Sequence, residues 1–530
     1  MDRLAACCAC EQPDPGKGGL PHTLLPRWVP YRIHRLAENA NLPEPSESNA
    51  PDLKRTFRLL LYDALASEAM STLATGVFLT GFAVALGASN LAIGVLAAAP
   101  SAVQFLQFPA VVLVERLRRR RAVSVWAAAI GRFFLILAAA SPLLGGSAGV
   151  ILLIVSVTIW QASAAVAGCA WNSWMRDLVP EGSYGRFFGR RAAANTAIAM
   201  VLALGCGVLV DRWQHILPEH AIIAYQILFL TSAGIGFLGV WLLSITPDQP
   251  MSPTATKARI IGMLIAPFRD GNFRRLIVFQ SSWSFAANLA APFFAVYMLK
   301  SLGYSMTLVV ILTTASQLSN LAAVSLWGNL IDRFSNKAVL GYSAPLFLLC
   351  TFAWTFTGIP WAAGFVFHIL LAIHVLMGIA TAGVALATGN IAMKLSPPGQ
   401  ATSFLAASSV VSASSAALAP IIGGLCADYF AAHELNLAFT WKSNVDALTL
   451  QVLNLHAWTF LFGLAFLVGL LSLHRLSFVQ EADKAINPLL MRDLLLEARD
   501  AIRGLSSVAG LVRVGRLPLP QPSRAGPQGK

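Results

Sequence analysis

Charged residues are scarce in this sequence. Asp, Glu, Lys and Arg make up 12% of its 530 residues, whereas they make up about 25% of an ordinary soluble domain. Hydrophobic residues account for 56%, and the mean hydropathy is +0.65. These values exclude an ordinary soluble enzyme.

Cysteine is also sparse, and its spacing fits no known framework. Three of the seven cysteines lie within the first ten residues, and the other four stand singly in apolar runs, at Cys169, Cys206, Cys350 and Cys426. A disulfide framework or a zinc site needs cysteines at short, regular spacings. We therefore predict no metal site, no cofactor and no redox chemistry.

A nucleotide-binding loop of the G-x-x-x-x-G-K-[ST] type is missing as well, so we expect no ATP-driven step within the chain. The net charge of +13 would suggest nucleic-acid binding in a soluble protein. Here the cations lie mostly between apolar segments, where a membrane explains them. We expect no nucleic-acid partner.

Long apolar segments are abundant. A helix that crosses a bilayer needs about 20 apolar residues, because lipid offers its backbone no hydrogen-bond partner. Twelve segments qualify, and within them only Glu68 and Arg132 are charged. The segments are 64–86, 88–114, 122–144, 148–172, 192–210, 221–244, 276–299, 303–331, 338–358, 361–393, 401–427 and 452–473. The sequence therefore predicts an all-α integral membrane protein with twelve transmembrane helices in a lipid bilayer.

The loops predict the orientation of these helices. Loops after the even-numbered segments contain 17 lysines and arginines, and loops after the odd-numbered segments contain 3. Cationic loops are retained on the cytoplasmic side. We therefore expect both termini in the cytoplasm and the protein in the inner (plasma) membrane of a bacterium.

The same pattern predicts the domain organisation. The start of the chain is polar and rich in proline, which is typical of disorder, and the end alternates leucines with charges as an interfacial helix does. We predict a cytoplasmic tail at 1–60, a six-helix bundle at 61–245, a cytoplasmic linker at 246–275, a second six-helix bundle at 276–476 and a cytoplasmic tail with an amphipathic helix at 477–530.

The two bundles are related by an internal repeat. At an offset of 217 residues, polar and glycine positions near helix ends coincide, including Glu115 with Asp332, Gly207 with Gly424 and Asp211 with Asp428. At an offset of 216, Gly87 coincides with Gly303 and Ser89 with Ser305. Six helices separate the copies, so both copies enter the membrane in the same direction, as in two parallel transporter halves.

A loop motif points to a family. Residues 328–337 read G-N-L-I-D-R-F-S-N-K, which resembles the G-x-x-x-D-R-x-G-R-K loop of the major facilitator superfamily, with Ser335 and Asn336 as departures. The first half has a weaker version around Glu115 and Arg116. Two further stretches, at 171–190 and 291–300, look like a bacterial branch of that superfamily whose substrates are largely uncharacterised. The resemblance covers roughly 56–478 and implies two pseudo-symmetric six-helix bundles.

The resemblance also implies gating residues at the cytoplasmic loops. Gly328 and Asp332 share a helix face, so the glycine would let another helix approach and the carboxylate would accept hydrogen bonds from the opposite bundle. We predict that this contact holds the cytoplasmic side closed; the alternative is that these charges only anchor the loops. The predicted gating residues are Glu115, Arg116, Asp177, Arg186, Gly328, Asp332 and Arg333.

Polar side chains near the middle of the membrane are candidates for binding or coupling, because charges in lipid are costly and usually face a cavity. We expect Glu68 to pair with Arg132 and to be the site where a proton couples to transport. For the amides, the alternative is hydrogen bonding between packed helices. The candidates are Glu68, Gln104, Gln107, Arg132, Trp160, Gln161, Gln280, Trp283, Asn288, Gln317 and Asn320.

These patterns favour a secondary transporter that moves a small molecule by alternating access, with protons as a candidate coupling ion. The alternative is a membrane protein that keeps the fold without transporting, as an assembly factor, pigment carrier or sensor, because fold alone does not establish function. An intramembrane enzyme ranks third, since no nucleophile and base lie at matching depth.

Overall fold

A computed structural model describes residues 53–179, 184–248, 266–357, 365–397, 400–442, 447–456 and 458–481. Most of the predicted tails and linker, including the predicted amphipathic helix, lie outside these ranges. The predicted domain boundaries therefore stay predictions.

The described residues form fourteen α-helices and one β-hairpin. The elements are α1 (Leu53–Ala74), α2 (Gly76–Ala85), α3 (Asn90–Ala102), α4 (Gln107–Leu117), α5 (Arg120–Ala139), α6 (Gly146–Leu178), α7 (Tyr184–Ile216), α8 (Ala221–Ser244), α9 (Gly271–Lys300), α10 (Met306–Arg333), α11 (Asn336–Ala353), α12 (Val366–Leu395), α13 (Ala401–Phe430), β1 (Glu434–Lys442), β2 (Ala447–His456) and α14 (Trp458–Ser477).

These helices make twelve apolar spans, which confirms the predicted membrane fold. Two spans are interrupted. Between α1 and α2 the chain turns at Gly76, whose φ of +58° suits glycine. Between α3 and α4 a 3₁₀ turn covers Val103–Leu106, just before Pro109, because this proline lacks the N–H that would bond to the Phe105 carbonyl and clashes with the preceding turn.

The helices form two halves, and the molecule has two different ends. The N-half comprises α1 to α8 and the C-half comprises α9 to α14. The basic end is the end at which α4, α6, α8, α10, α12 and α14 finish, where the arginine-rich loops lie; the other is the opposite end.

The apolar core is arranged differently at the two ends. At the opposite end one cluster of buried residues includes members of both halves, such as Phe82 and Leu96 with Phe293 and Ala419. Toward the basic end separate clusters serve each half: one around Trp174 in the N-half, and one that includes Phe273 in the C-half. Among the described residues, the halves therefore share a core at the opposite end only.

A short β-hairpin, which the sequence analysis did not predict, adds to the confirmed all-α membrane fold. β1 and β2 pair antiparallel, with Glu434 opposite His456 and Lys442 opposite Ala447, after α13 at the opposite end. The signal was present in the sequence: leucine or an aromatic residue occupies every second position from 435 to 441, which is the period of a strand. The search for long apolar runs passes over such short alternation.

Candidate functional site

A cavity of about 520 Å³ lies between the two halves. The N-half contributes Thr80 and Gln161 to its wall, and the C-half contributes Gln317 and His374, among mostly apolar neighbours. An apolar cavity with a few polar groups is the usual form of a small-molecule site. We call it the central cavity.

Two helix-interior prolines shape this cavity. Pro100 of α3 and Pro292 of α9 both line it. A proline inside a helix leaves the carbonyl four residues earlier without its usual partner. Each half thus brings a weakened helical turn to the cavity.

A second cavity of about 280 Å³ lies within the N-half, and we call it the side cavity. Its wall includes Asp63 from α1, Arg132 from α5, Trp160 from α6 and Arg191 from α7. Gln161 lines both cavities, so they adjoin at this residue.

Four charged side chains lie in and beside the side cavity. Asp63 and Arg132 are 6% and 7% exposed, and Asp63, Arg132 and Arg191 line the same cavity, with the Asp63 carboxylate within electrostatic reach of both guanidinium groups. The Arg191 guanidinium lies 4.3 Å from the ring centroid of Trp171, a cation–π contact. Glu68 is half-buried, faces Arg191 and accepts a 3.3 Å hydrogen bond from Asn195.

This arrangement corrects the expected pair of Glu68 and Arg132. The electrostatic partner of Arg132 is Asp63, whereas Glu68 is directed to Arg191 and Asn195. The two acids are five residues apart, which places them about 140° apart around the helix. Sequence reasoning missed Asp63 and Arg191 because it began the first segment at 64 and the fifth at 192, one residue too late for each.

Some of the predicted binding residues line a cavity and others do not. Gln161 and Gln317 line the central cavity, and Arg132, Trp160 and Gln161 line the side cavity. Gln104 and Gln107 lie elsewhere, exposed at the turn between α3 and α4, where they hydrogen-bond to each other. Their binding role stays a prediction.

The remaining candidates lie in helix packing contacts in the C-half. Gln280 donates to the carbonyl of Thr388 at 3.0 Å and accepts from the Ser408 hydroxyl. Asn320 donates to the carbonyl of Gly378, and Asn288 donates to the carbonyl of Ser284 in its own helix. Trp283 packs on Phe347 with ring centroids 5.4 Å apart. These contacts favour the packing alternative for the amides, because each bonds within or between helices.

The predicted gating residues lie at the basic end. Glu115, Arg116, Asp332 and Arg333 are exposed there. Asp177 makes a 2.6 Å salt bridge with Arg120 inside the N-half. A Cβ on Gly328 would be 3.9 Å from Leu386 of the C-half, an ordinary contact, so the close approach expected at this glycine is wrong for this conformation. The side chain of Arg186 lies outside the described set.

The halves are joined at the opposite end by two contacts that sequence reasoning did not assign. Asp428 of α13 accepts hydrogen bonds from the backbone N–H groups of Asn90 and Leu91, at 3.1 and 2.9 Å. Asp211 of α7 accepts from those of Met306 and Thr307, both at 2.8 Å. Each carboxylate thus binds the N-terminus of a helix in the other half, where free N–H groups and the helix dipole favour an anion. We call these the two carboxylate contacts.

Local sequence prepares both helix starts in the same way. Gly87 and Gly303 have φ of +80° and +63°, a conformation that glycine adopts without strain. Two residues later, Ser89 and Ser305 cap α3 and α10 by accepting backbone hydrogen bonds. The repeat offset of 216 residues therefore reproduces a turn, a cap and an anion-binding helix end.

Close helix packing accompanies these contacts. A Cβ on Gly424 would lie 2.5 Å from the Asn90 carbonyl oxygen, and one on Gly94 would lie 2.2 Å from that of Pro420. Both distances exclude a side chain, so α3 and α13 meet backbone to backbone. The signal in the sequence was the coincidence of Gly207 with Gly424 and Asp211 with Asp428 in the repeat.

Two halves of six spans each surround a central cavity and are joined at one end, which is the arrangement of two parallel transporter halves. The Major Facilitator Superfamily model matches residues 276–513. This match covers most of the C-half and confirms the resemblance to a superfamily of transporters that the loop motif predicted.

Solved structures share the fold across the whole membrane part. The nucleoside transporter NupG is similar with a TM-score of 0.60 at 11% identity, over 81% of this chain and 100% of that one. A bacterial homologue of the iron transporter ferroportin in an inward-facing state gives 0.58 at 13%, over 81% and 99%. A D-xylose-proton symporter gives 0.55 at 16%, over 81% and 99%. No curated protein matches this chain.

Proposed function

We propose that this protein is a secondary transporter that moves a small molecule by alternating access, with the cargo bound in the central cavity. The observation that supports this most is the shared core at the opposite end together with separate cores toward the basic end. Two rigid halves that touch at one end and enclose a cavity can rock about it, which is how paired transporter halves expose a site alternately to the two sides.

The structure corresponds to the state closed at the opposite end, since the two carboxylate contacts lie there. With the basic loops in the cytoplasm, this state opens inward, both termini are cytoplasmic and the membrane is a bacterial inner membrane. The predicted gate at Asp332 and Arg333 would then form only in the reverse, outward-open state.

The cargo class follows from the walls of the central cavity. Gln161, Gln317 and Thr80 offer neutral donors and acceptors among apolar side chains. Nucleosides and D-xylose, after which two of the similar transporters are named, combine hydroxyl groups with apolar faces that such walls can bind. A sugar, a drug, an amphiphile or a small metabolite fits this chemistry.

Proton coupling is the finer part of the proposal. It requires a carboxylate that can reach the cavity, lose a proton and have that charge compensated. Asp63 meets this requirement best, because it is buried in the side cavity against Arg132 and Arg191. Glu68 is a second candidate beside the same arginine.

Distances between spin labels test alternating access without knowledge of the cargo. One pair, on Leu144 and His433, spans the halves at the opposite end; the other, on Leu117 and Phe478, spans them at the basic end, and all four residues are exposed. In a variant without native cysteines, we expect two populations whose distances change in opposite directions. Uptake into proteoliposomes from a panel of sugars, nucleosides and amphiphiles, with and without a pH gradient, then identifies the cargo and the coupling.

The outcomes separate the alternatives. Reciprocal distance changes and gradient-dependent uptake support the full proposal. Reciprocal changes and uptake without dependence on the gradient support a facilitator. A single distance population under all conditions, with no uptake, would favour the non-transporting alternative.

A further inference from the structure

We propose that the side cavity binds an anionic group, such as a carboxylate, sulfonate or phosphate, through Arg132, Arg191 and Trp160, in competition with the Asp63 carboxylate. The inference rests on the proposed function in one respect only, namely that the anionic group belongs to the cargo entering from the central cavity.

Unpartnered donors are the first support. Among the described residues, no acceptor bonds the Nε atoms of Arg132 and Arg191 or the Nε1 atom of Trp160. Arg132 and Trp160 are 7% and 2% exposed, and all three side chains line the side cavity. A buried donor without a partner is costly, and the two guanidinium groups and the indole bordering the cavity would supply donors to an anion held there.

The shape and position of the cavity are the second support. A volume of about 280 Å³ holds a small anionic group and not a whole cargo molecule of ordinary size. Gln161 lines both cavities, so a molecule in the central cavity lies one side chain away from the side cavity, and rotation of this amide would admit its charged end. The side cavity would then select cargo by charge while the central cavity selects by shape.

The surrounding charges make binding depend on protonation. Helix α1 contributes Asp63 and Ser67 to the cavity wall, and Glu68 of the same helix lies beside the cavity. Helix α5 contributes Arg132. Helix α7 contributes Arg191, and Asn195 of α7 bonds to Glu68. From α6 and α8 it faces neutral side chains, including Trp160, Trp171 and Leu243. With both acids ionised the site is neutral overall. Protonation of Asp63 leaves the two guanidinium groups for an added anion, so proton and anion bind together.

The test measures binding of methanesulfonate to the full chain in phosphatidylcholine nanodiscs by calorimetry. Sulfonate keeps its charge between about pH 5.5 and pH 8.5, so any pH dependence belongs to the protein. We expect tighter binding at the lower pH. We expect Asp63→Asn to bind about 10-fold tighter at neutral pH and to lose the pH dependence, because it frees the arginines permanently. A purely structural role for Asp63 would weaken binding.

Further variants test whether Trp160 and Arg132 bind the anion. Trp160→Phe removes one donor and should weaken binding about 10-fold, as expected for a hydrogen bond to a charged group. Its matched control is Trp354→Phe, since Trp354 also has a buried, unpartnered Nε1 but lines neither cavity; it should bind as the wild type does. Arg132→Gln alone leaves the negative charge of Asp63 uncompensated and would destabilise the protein. The Asp63→Asn/Arg132→Gln double variant avoids this charge, and in it we expect binding to be lost.

The remaining arms identify the source of the anion. Binding that weakens in phosphatidylglycerol nanodiscs supports the site and assigns its occupant to a lipid headgroup, whereas equal binding in both lipids supports a water-soluble cargo. No sulfonate binding in wild type or Asp63→Asn would overturn the inference while leaving alternating access intact if the spin-label distances still change. Sulfonate binding without any distance change would keep the inference and overturn the proposed function.

Discussion

The two halves place different chemistry at equivalent positions. At the repeat offset of 217 residues, Asp63, Trp171 and Arg191 of the N-half correspond to Gln280, Thr388 and Ser408 of the C-half. In the N-half, Asp63 faces Arg191, which stacks on Trp171. In the C-half, Gln280 bonds to both Thr388 and Ser408. The same three helices are thus connected by charges in one half and by a neutral hydrogen-bond network in the other.

This difference assigns separate tasks to the halves. A neutral amide network that satisfies its own donors and acceptors holds helices together and leaves nothing free for a ligand. A charged network with unpartnered donors can exchange one ion for another. Under the proposed function, we therefore expect coupling to take place in the N-half and the C-half to be its fixed counterpart.

A second difference concerns how each half closes its basic end. In the N-half, Arg120 at the start of α5 pairs with Asp177 of α6. The corresponding C-half residues, Lys337 and Lys394, are both cationic, and Glu481 after α14 supplies the negative charge. Glu481 accepts from the Lys337 backbone N–H at 2.9 Å, the Asn336 side chain at 2.8 Å and Lys394 at 3.1 Å.

The largest expected effect is a loss of stability when the charged network of the N-half is changed, compared with the neutral network of the C-half. Arg132→Gln and Asp63→Asn should each destabilise the protein by about 3 to 5 kcal/mol, because each leaves one uncompensated charge among the four groups, whereas the double variant should cost much less. Ser408→Ala in the C-half should cost only about 1 kcal/mol. Unfolding in mixed detergent micelles measures all four. Glu68→Gln with Arg132→Gln is the control and should be additive, since these residues are not partners.

The next effect concerns Glu481. Partial burial raises the pKa of this carboxyl, but hydrogen bonds from Lys337, Asn336 and Lys394 outweigh the burial and hold the pKa below its ordinary value of 4.5. A lowered pKa stabilises the fold above the unfolded value, and this contribution is lost as pH falls below it. Glu481→Gln should therefore cost about 1.5 to 3 kcal/mol at neutral pH, and the difference from wild type should shrink in acid. Unfolding of the exposed-carboxylate control Glu219→Gln should show neither effect.

The two carboxylate contacts occupy equivalent positions in the two halves, so we expect their removal to have similar effects. Asp211→Asn and Asp428→Asn should each weaken the closed opposite end by about 1 to 2 kcal/mol, which shifts the two-state balance about 5- to 30-fold. Asp211 is the more buried of the two, so its effect should be larger. The Leu144–His433 spin-label pair measures the shift; unchanged populations in both variants would leave these carboxylates as simple helix caps.

The smallest expected effect is at the predicted gate. Asp332→Asn should shift the balance the other way, toward forms open at the basic end, by about 2- to 5-fold, because an exposed carboxylate contributes less than 1 kcal/mol. The Leu117–Phe478 pair measures it. A shift in the same direction as Asp211→Asn would contradict a gating role and leave the role of anchoring a loop.

The sequence by itself determined the membrane fold, the twelve spans and the two-fold repeat. Apolar length and the repeat are properties of the chain alone, since a lipid environment forces each apolar run into a helix. It also marked Gly207, Gly424, Asp211 and Asp428 as paired positions, but could not say what they contact. The hairpin was missed although its alternating pattern lies in the sequence.

Only the tertiary structure decided which side chains meet. Glu68 and Arg132 have opposite signs and similar depth, yet the partner of Arg132 is Asp63, because the angle around α1 and the packing of α5 and α7 against it select among acids that depth alone cannot separate. Gln161 and Gln280 are both membrane amides, yet one faces two cavities and the other bonds to α12 and α13. Depth follows from counting residues along one helix, whereas partners depend on which faces of several helices pack together, and no single helix encodes that.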